Sequence, residues 1–179
     1  LSVVLILCIV GIIDDLLGWR NKGLSKRTRI ILAFIASVPL VVINAGSSTM
    51  NFPFLGQIDL GIFYPLLVIP IGIVGATTTY NFLAGYNGLE AGQGILILSF
   101  LSFVAYITGS SWLAVVGLIM VSALIGFWFY NKNPAKVFPG DSLTWAIGAL
   151  IAGMAILGNL EKIAMFIFIP YVLETVLKL

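Results

Sequence analysis

From Trp112 to Tyr130 the chain carries no charged residue, and about 20 such residues are what a helix needs to cross the ~30 Å hydrocarbon core of a bilayer. Within lipid every backbone N–H and C=O must find a partner, so only helices and closed barrels can cross. This run is built of Leu, Ile, Val, Phe and Gly without alternation of polar and apolar positions, which selects a helix over a barrel strand. Similar apolar runs cover 1–13, 30–44, 62–80, 95–108, 142–157 and 163–177. Hydrophobic residues make up 60% of the 179 positions and charged ones 9%, more apolar surface than a soluble domain of this size can bury. The expected fold is therefore all-α: a polytopic transmembrane helix bundle, one domain over 1–179, with about seven membrane segments.

Leu1–Ile13 is short for a full span and reads as the end of a helix whose start lies upstream, so the chain reads as a fragment. Asp14 to Arg29 reads as a polar connection. Ala45–Gly61, with Gly, Ser, Asn and Pro, reads as a longer loop with room for a short hairpin. Pro39, Pro65 and Pro70 are tolerated kinks in membrane helices, and Gly148 and Gly153 are small residues suited to close helix contact. Among function classes, nucleic-acid binding has no support, because the bases are few and flank membrane segments. The lone Cys8 lies in an apolar run and forms no disulfide framework. With no His at all, any chemistry falls to carboxylates, Asn, Lys and Arg.

Alternation of the segments puts the connections at 14–29, 81–94 and 131–141 and the C-terminal end on one face. The connections at 45–61, 109–111 and 158–162 share the other. Of the 9 Lys and Arg residues, the first face holds Arg20, Lys22, Lys26, Arg27, Arg29, Lys132, Lys136 and Lys178, and the second holds Lys162 alone. That bias marks the first face as cytoplasmic. The same face collects Asp14, Asp15, Glu90 and Asp141; Asp59 and Glu161 fall on the other, and Glu174 within the last segment.

These polar islands carry the candidate chemistry. Asp14-Asp15 follows a membrane segment directly, and adjacent like charges beside a low-dielectric region are costly unless a cation or nearby bases relieve them. A Mg2+ site, or a general base beside one, is the functional reading; an acidic helix end paired with local Arg and Lys is the plain one. The basic run Lys22 to Arg29 can anchor the membrane face or hold phosphate, for which Arg gives bidentate contacts. Asn81, Asn87 and Glu90 stand six and three apart in a loop without bases, and a helical segment would put Asn87 and Glu90 on one face. Asn81 could ligate metal through its amide oxygen. Asp141, after Val137-Phe-Pro-Gly, reads as an N-cap, which does not exclude ligation. An anionic substrate, a divalent cation and an apolar co-substrate together describe phosphoryl transfer.

The order Asp-Asp-x-x-Gly, then Asn81-Phe-Leu-Ala-Gly-Tyr-Asn87-Gly-Leu-Glu90-Ala-Gly-Gln93, then Val-Phe-x-Gly-Asp141 resembles the polyprenyl-phosphate N-acetylhexosamine-1-phosphate transferases, glycosyltransferase family 4. The central stretch is most similar to the eukaryotic and archaeal dolichyl-phosphate branch. The resemblance implies a Mg2+-dependent enzyme, with Mn2+ as an alternative metal. It implies transfer of N-acetylglucosamine 1-phosphate from UDP-N-acetylglucosamine to a polyprenyl phosphate, dolichyl phosphate in that branch, with release of UMP. It implies Asn81 and Asp141 as metal ligands, and Asp14, Asp15 and Asp141 as the catalytic acids. Arg27, Arg29, Asn87 and Glu90 would bind substrate, Arg29 standing where relatives often have a Lys. Thr78 stands where the eukaryotic branch has an Asn.

The partners would be the nucleotide sugar, the lipid phosphate and the bilayer of an archaeal cell membrane or the endoplasmic reticulum, with a homodimer allowed. Two rivals remain: a bacterial-type enzyme using undecaprenyl phosphate for cell-wall or polysaccharide synthesis, and, from another class, a membrane transporter. A transporter would place its charges at mid-membrane and show internal repeats. Here the acids sit at one face, and Asp14, Asp15, Asn81 and Asp141 are expected to meet in one cleft there.

Overall fold

The computed structural model describes residues 1–20, 23–52 and 56–177. Among these the regular structure is helical apart from one small hairpin, so the protein is an all-α, polytopic integral membrane protein. Its helices are α1 (Ser2–Arg20), α2 (Lys26–Ala36), α3 (Val38–Val42), α4 (Ile69–Phe82), α5 (Leu89–Ile107), α6 (Ser111–Asn131), α7 (Asp141–Leu157) and α8 (Glu161–Leu177). Four stretches, Ser2–Trp19, Tyr64–Phe82, Leu89–Ile107 and Ser111–Asn131, are long and apolar enough to cross a bilayer.

One boundary differs from expectation. The first helix does not stop at Ile13 but runs on through both aspartates to Arg20. Its acids are satisfied by distant parts of the chain, described below, so they do not end the helix.

Proline chemistry shapes two other segments. Pro39 cannot donate to the Ile35 carbonyl, and the segment at 30–44 breaks into α2 and α3 around Ser37, whose hydroxyl donates to the Phe34 carbonyl at 2.6 Å. Pro70 likewise leaves the Leu66 carbonyl without its helical donor, and the turn before α4, Tyr64–Val68, widens into a π-helix. The expected hairpin is present: Thr49–Phe52 (β1) pairs antiparallel with Gly56–Asp59 (β2), Thr49 opposite Asp59 and Phe52 opposite Gly56. Its turn, 53–55, lies outside the described residues.

The bundle is organised around α7. From Thr144 to Ala152 every residue of this helix is buried, as expected for a helix apolar on all sides. Glycines let its neighbours approach. A Cβ at Gly148 would lie 2.7 Å from Thr77 Cα on α4, and one at Gly11 of α1 would lie 2.5 Å from Ser142 Cα. Gly153, expected to do the same, faces open space. The α5–α6 pair packs on the other side, where a Cβ at Gly117 would strike Ser102 Oγ and Met154.

The bundle has two polar ends. One holds the hairpin, with Tyr64 donating to Glu161 and Gly46 against the Ile156 carbonyl. The other holds the C-terminal half of α1, the end of α4 and the start of α7.

Candidate functional site

Asp14 and Asp15 occupy consecutive helix positions, about 100° apart around the axis of α1, and this gives them different surroundings. Asp14 is 2% exposed. Its Oδ1 accepts from the Leu24 N–H at 2.7 Å, and its Oδ2 lies 2.5 Å from Arg29 Nε. That second contact is an ion pair whose angle falls outside hydrogen-bond geometry. Leu24 can reach Asp14 because Gly23 adopts φ +69°, and a Cβ there would lie 2.7 Å from Asp14 Oδ1. Ser25 then caps α2, accepting from the Thr28 N–H at 3.2 Å, which presents Arg29 one turn into the helix.

Asp15 is exposed and faces α7. Its Oδ1 accepts from the Asp141 N–H at 2.8 Å and its Oδ2 from the Ser142 N–H at 3.1 Å. A side chain on α1 thus satisfies two of the orphan amides at the start of α7, and its charge lies at the positive end of that helix dipole. Asp141 was expected to be the cap. Instead Gly140 holds the cap position with no side-chain bond of its own, and Asp141 is the first helical residue. The reason is steric: a Cβ at 140 would lie 2.3 Å from Asp15 Oδ2.

With its backbone held in this way, the Asp141 side chain turns to the other acids and to Arg29, whose Nη2 stands 3.4 Å from Asp141 Oδ2. Asp141 stands at the polar end of α7, before the apolar run begins. Burial, followed by hydrogen bonding to Asp14, pushes its carboxyl up to about 6, against the pull of Arg29. One turn along α7, Thr144 Oγ1 donates to Asn81 Oδ1 at 3.1 Å. Asp14, Asp15, Asp141, Asn81 and Arg29 therefore meet at one end of the bundle. Thr144 was not singled out from sequence, although its i+3 position after Asp141 puts it on the same helix face.

The other candidates are placed as follows. Arg27 is exposed on the first turn of α2. Lys22 and Lys178 lie outside the described residues. Asn87 and Glu90 do not share a helix face, because Gly88, at φ +75°, precedes the first residue of α5 and turns the chain between them. Asn87 is exposed and donates through Nδ2 to Asn133 Oδ1 at 2.9 Å. Glu90 is 3% exposed; its Oε1 accepts from the Gly85 N–H, and its buried Oε2 has no hydrogen-bond partner among the described residues. Thr78 bonds back to the Val74 carbonyl at 2.6 Å and is spent within its own helix.

Among the described residues no three acidic side chains converge as a ready-made metal cage. The reason is visible in the partners: Asp15 is held by two amides, and Asp14 by an amide and Arg29. The donors left for a cation are Asp141 and the Asn81 amide oxygen. Two protein oxygens suit Mg2+, which keeps waters and takes substrate phosphates. Three acids against Arg29 leave negative charge to be neutralised there, so the residues fit such an ion.

An apolar cavity of about 450 Å3 runs along α4, α7 and α8, lined at the hairpin end by Met50, Ile156 and Glu161. Ile71, Gly75, Ile151, Ala155, Phe168 and Val172 are among its lining residues, and it extends to Thr79, close in sequence to Asn81.

The chain is similar in sequence to several known proteins. A Saccharolobus solfataricus protein, provisionally named UDP-N-acetylglucosamine–dolichyl-phosphate N-acetylglucosaminephosphotransferase, is 40% identical over 98% of the chain. A Sulfolobus acidocaldarius protein of the same provisional name is 34% identical over 97%. A phospho-N-acetylmuramoyl-pentapeptide-transferase of Clostridium perfringens is 35% identical over 93%. The chain spans about half the length of the curated relatives it matches: 53%, 52% and 53% of these three. Residues 1–159 match glycosyl transferase family 4, and the chain belongs to that family.

Proposed function

We propose that the protein transfers N-acetylglucosamine 1-phosphate from UDP-N-acetylglucosamine to a polyprenyl phosphate of the dolichyl type, releasing UMP. The observation that carries this reading is the meeting of Asp14, Asp141, Asn81 and Arg29 at one polar end of the bundle within a family 4 chain, with an apolar groove that reaches Thr79 of the same helix as Asn81. The names of the two archaeal relatives support the dolichyl form over the bacterial one.

The division of labour follows from the partners. Asp141 and Asn81 would hold Mg2+, which supplies charge neutralisation to the pyrophosphate as the bond to UMP breaks. Arg29, poised between two carboxylates, can turn unused N–H groups toward a phosphate oxygen. Asp14, buried and paired with Arg29, would accept a proton from, or orient, the acceptor phosphate. The unpartnered Oε2 of Glu90 calls for a donor, and a nucleoside hydroxyl or imide N–H would supply one; Asn87 is exposed three residues earlier in the chain. The acceptor's hydrocarbon tail would lie along the groove beside α4, whose Thr79 end is two residues from Asn81. The test is UMP release by the reconstituted enzyme, requiring UDP-N-acetylglucosamine, polyprenyl phosphate and Mg2+ together. No release in the complete mixture would overturn the assignment.

The site belongs on the cytoplasmic face, because alternation of the segments along the sequence puts every base but Lys162 on that side of the membrane. A Cys placed at Lys136 should resist a membrane-impermeant maleimide in intact cells, whereas one at Ser111 should react. The opposite pattern would invert the topology.

A further inference from the structure

Gln93 closes the central polar stretch and has no part in the chemistry proposed for Asp14, Asn81, Glu90 and Asp141. In the structure its Oε1 accepts a hydrogen bond from the Tyr171 hydroxyl of α8 at 2.7 Å. Tyr171 is buried, and its ring stacks on two neighbours. Tyr80 of α4 lies on one side with centroids 5.6 Å apart at 12°, and Phe168 lies 4.8 Å away at 24°. Tyr80 in turn donates its hydroxyl to the Glu90 carbonyl in the first turn of α5. Gly94 makes that approach feasible, since a Cβ there would lie 3.0 Å from the Tyr80 hydroxyl. Glu90 then holds the Gly85 N–H through its side chain.

A continuous set of contacts thus runs from α8 through two phenols into the turn of chain at 83–88, which has no regular structure of its own. The same stretch of α8 also lines the apolar groove, through Phe168 and Val172. Pro170 lies beside Tyr171 inside α8 and removes one helical hydrogen bond there, so side-chain contacts carry more of the placement of Tyr171.

We propose that Tyr171 is a positioning residue for the 83–88 loop, acting through Gln93 and Tyr80, and that it sets affinity for the nucleotide sugar without touching it. The nucleotide part rests on the function proposed above; the ordering of the loop does not. Tyr171→Phe removes one hydroxyl and keeps the ring stack, so the protein should fold.

Hydrogen exchange of the substrate-free protein in bilayers is the first readout. Amides at 84–88 should exchange about two- to tenfold faster in the variant, the range expected for one hydrogen bond, with the 49–59 hairpin unchanged. Unchanged exchange in the loop, or an equal rise in loop and hairpin, would overturn the proposal. The second readout is kinetic: KM for UDP-N-acetylglucosamine should rise about two- to tenfold, while kcat and KM for the polyprenyl phosphate stay within about twofold of wild type. A lower kcat at unchanged KM is the signature of a smaller folded fraction and would also overturn it. If the wild type releases no UMP, the proposed function fails, and the exchange data still decide the role of Tyr171.

Discussion

Asp141→Asn should abolish UMP release while leaving the protein folded. Asn has nearly the shape of Asp, and its backbone N–H still donates to Asp15, so the start of α7 should survive. What disappears is the negative charge facing Arg29 and the cation proposed to bind there. A lost carboxylate ligand weakens Mg2+ binding and withdraws stabilisation from the transferring phosphate. At 1.36 kcal/mol per tenfold, a loss of roughly 4 kcal/mol is about a thousandfold in rate. UMP release measured against Mg2+ concentration, with a thermal melt as control, decides the matter. Near-normal turnover at low Mg2+ would reduce Asp141 to a structural role.

The wild type carries a related pH dependence. Metal binds the ionised carboxylate, and without a cation this carboxyl is pushed up to about 6. Apparent Mg2+ affinity should therefore fall as pH drops through that value and level off above it. An affinity flat between pH 5 and 7 would contradict this assignment of the ligand.

The sequence shows which residues gather here but not how they divide the work. Bases on one side of the alternation, and acids beside them, already put Asp14, Asp15, Asn81 and Asp141 at a common level of the membrane. Hydropathy also located the central segments, because a helix that must bury all its faces has little choice of composition, as in α7. Two features escaped for one physical reason, that their partners lie elsewhere in the chain, and a third turns on one glycine. Asp14-Asp15 reads as the end of a span because two unpaired acids would end one. Arg29 and the α7 amides pair them instead, and α1 continues to Arg20. Asp141 reads as its own cap because the true cap side chain is 126 residues away. Asn87 and Glu90 read as one helix face because a glycine between them is compatible with a helix; the left-handed Gly88 shows otherwise. Local signals cannot settle such positions, since tertiary contacts override them.

Gly11→Ala should dismantle the site from a position that touches no substrate. Gly11 lies three and four residues before the aspartates, on the face of α1 that meets α7. A methyl group there would stand 2.5 Å from both Cα and N of Ser142 and 2.7 Å from the carbonyl carbon of Asp141. These are backbone atoms at a helix start, so no side-chain rotation relieves the clash, and α1 must move away from α7. Any such shift draws Asp15 off the two amides it holds and separates Asp14 and Arg29 from Asp141. Overpacking of this kind costs about 1–3 kcal/mol in stability. The catalytic loss should be larger, since displacements of about 1 Å at a reacting centre can cost about a hundredfold in rate. Gly18→Ala is the control on the same helix, because nothing lies within 4 Å of a Cβ there and Ala is the better helix former. The expected pattern is a lowered melting temperature and at least a hundredfold lower turnover for Gly11→Ala, with Gly18→Ala matching wild type in both. Equal behaviour of the two variants would show that the close approach of α1 to α7 does not set the geometry of the carboxylates.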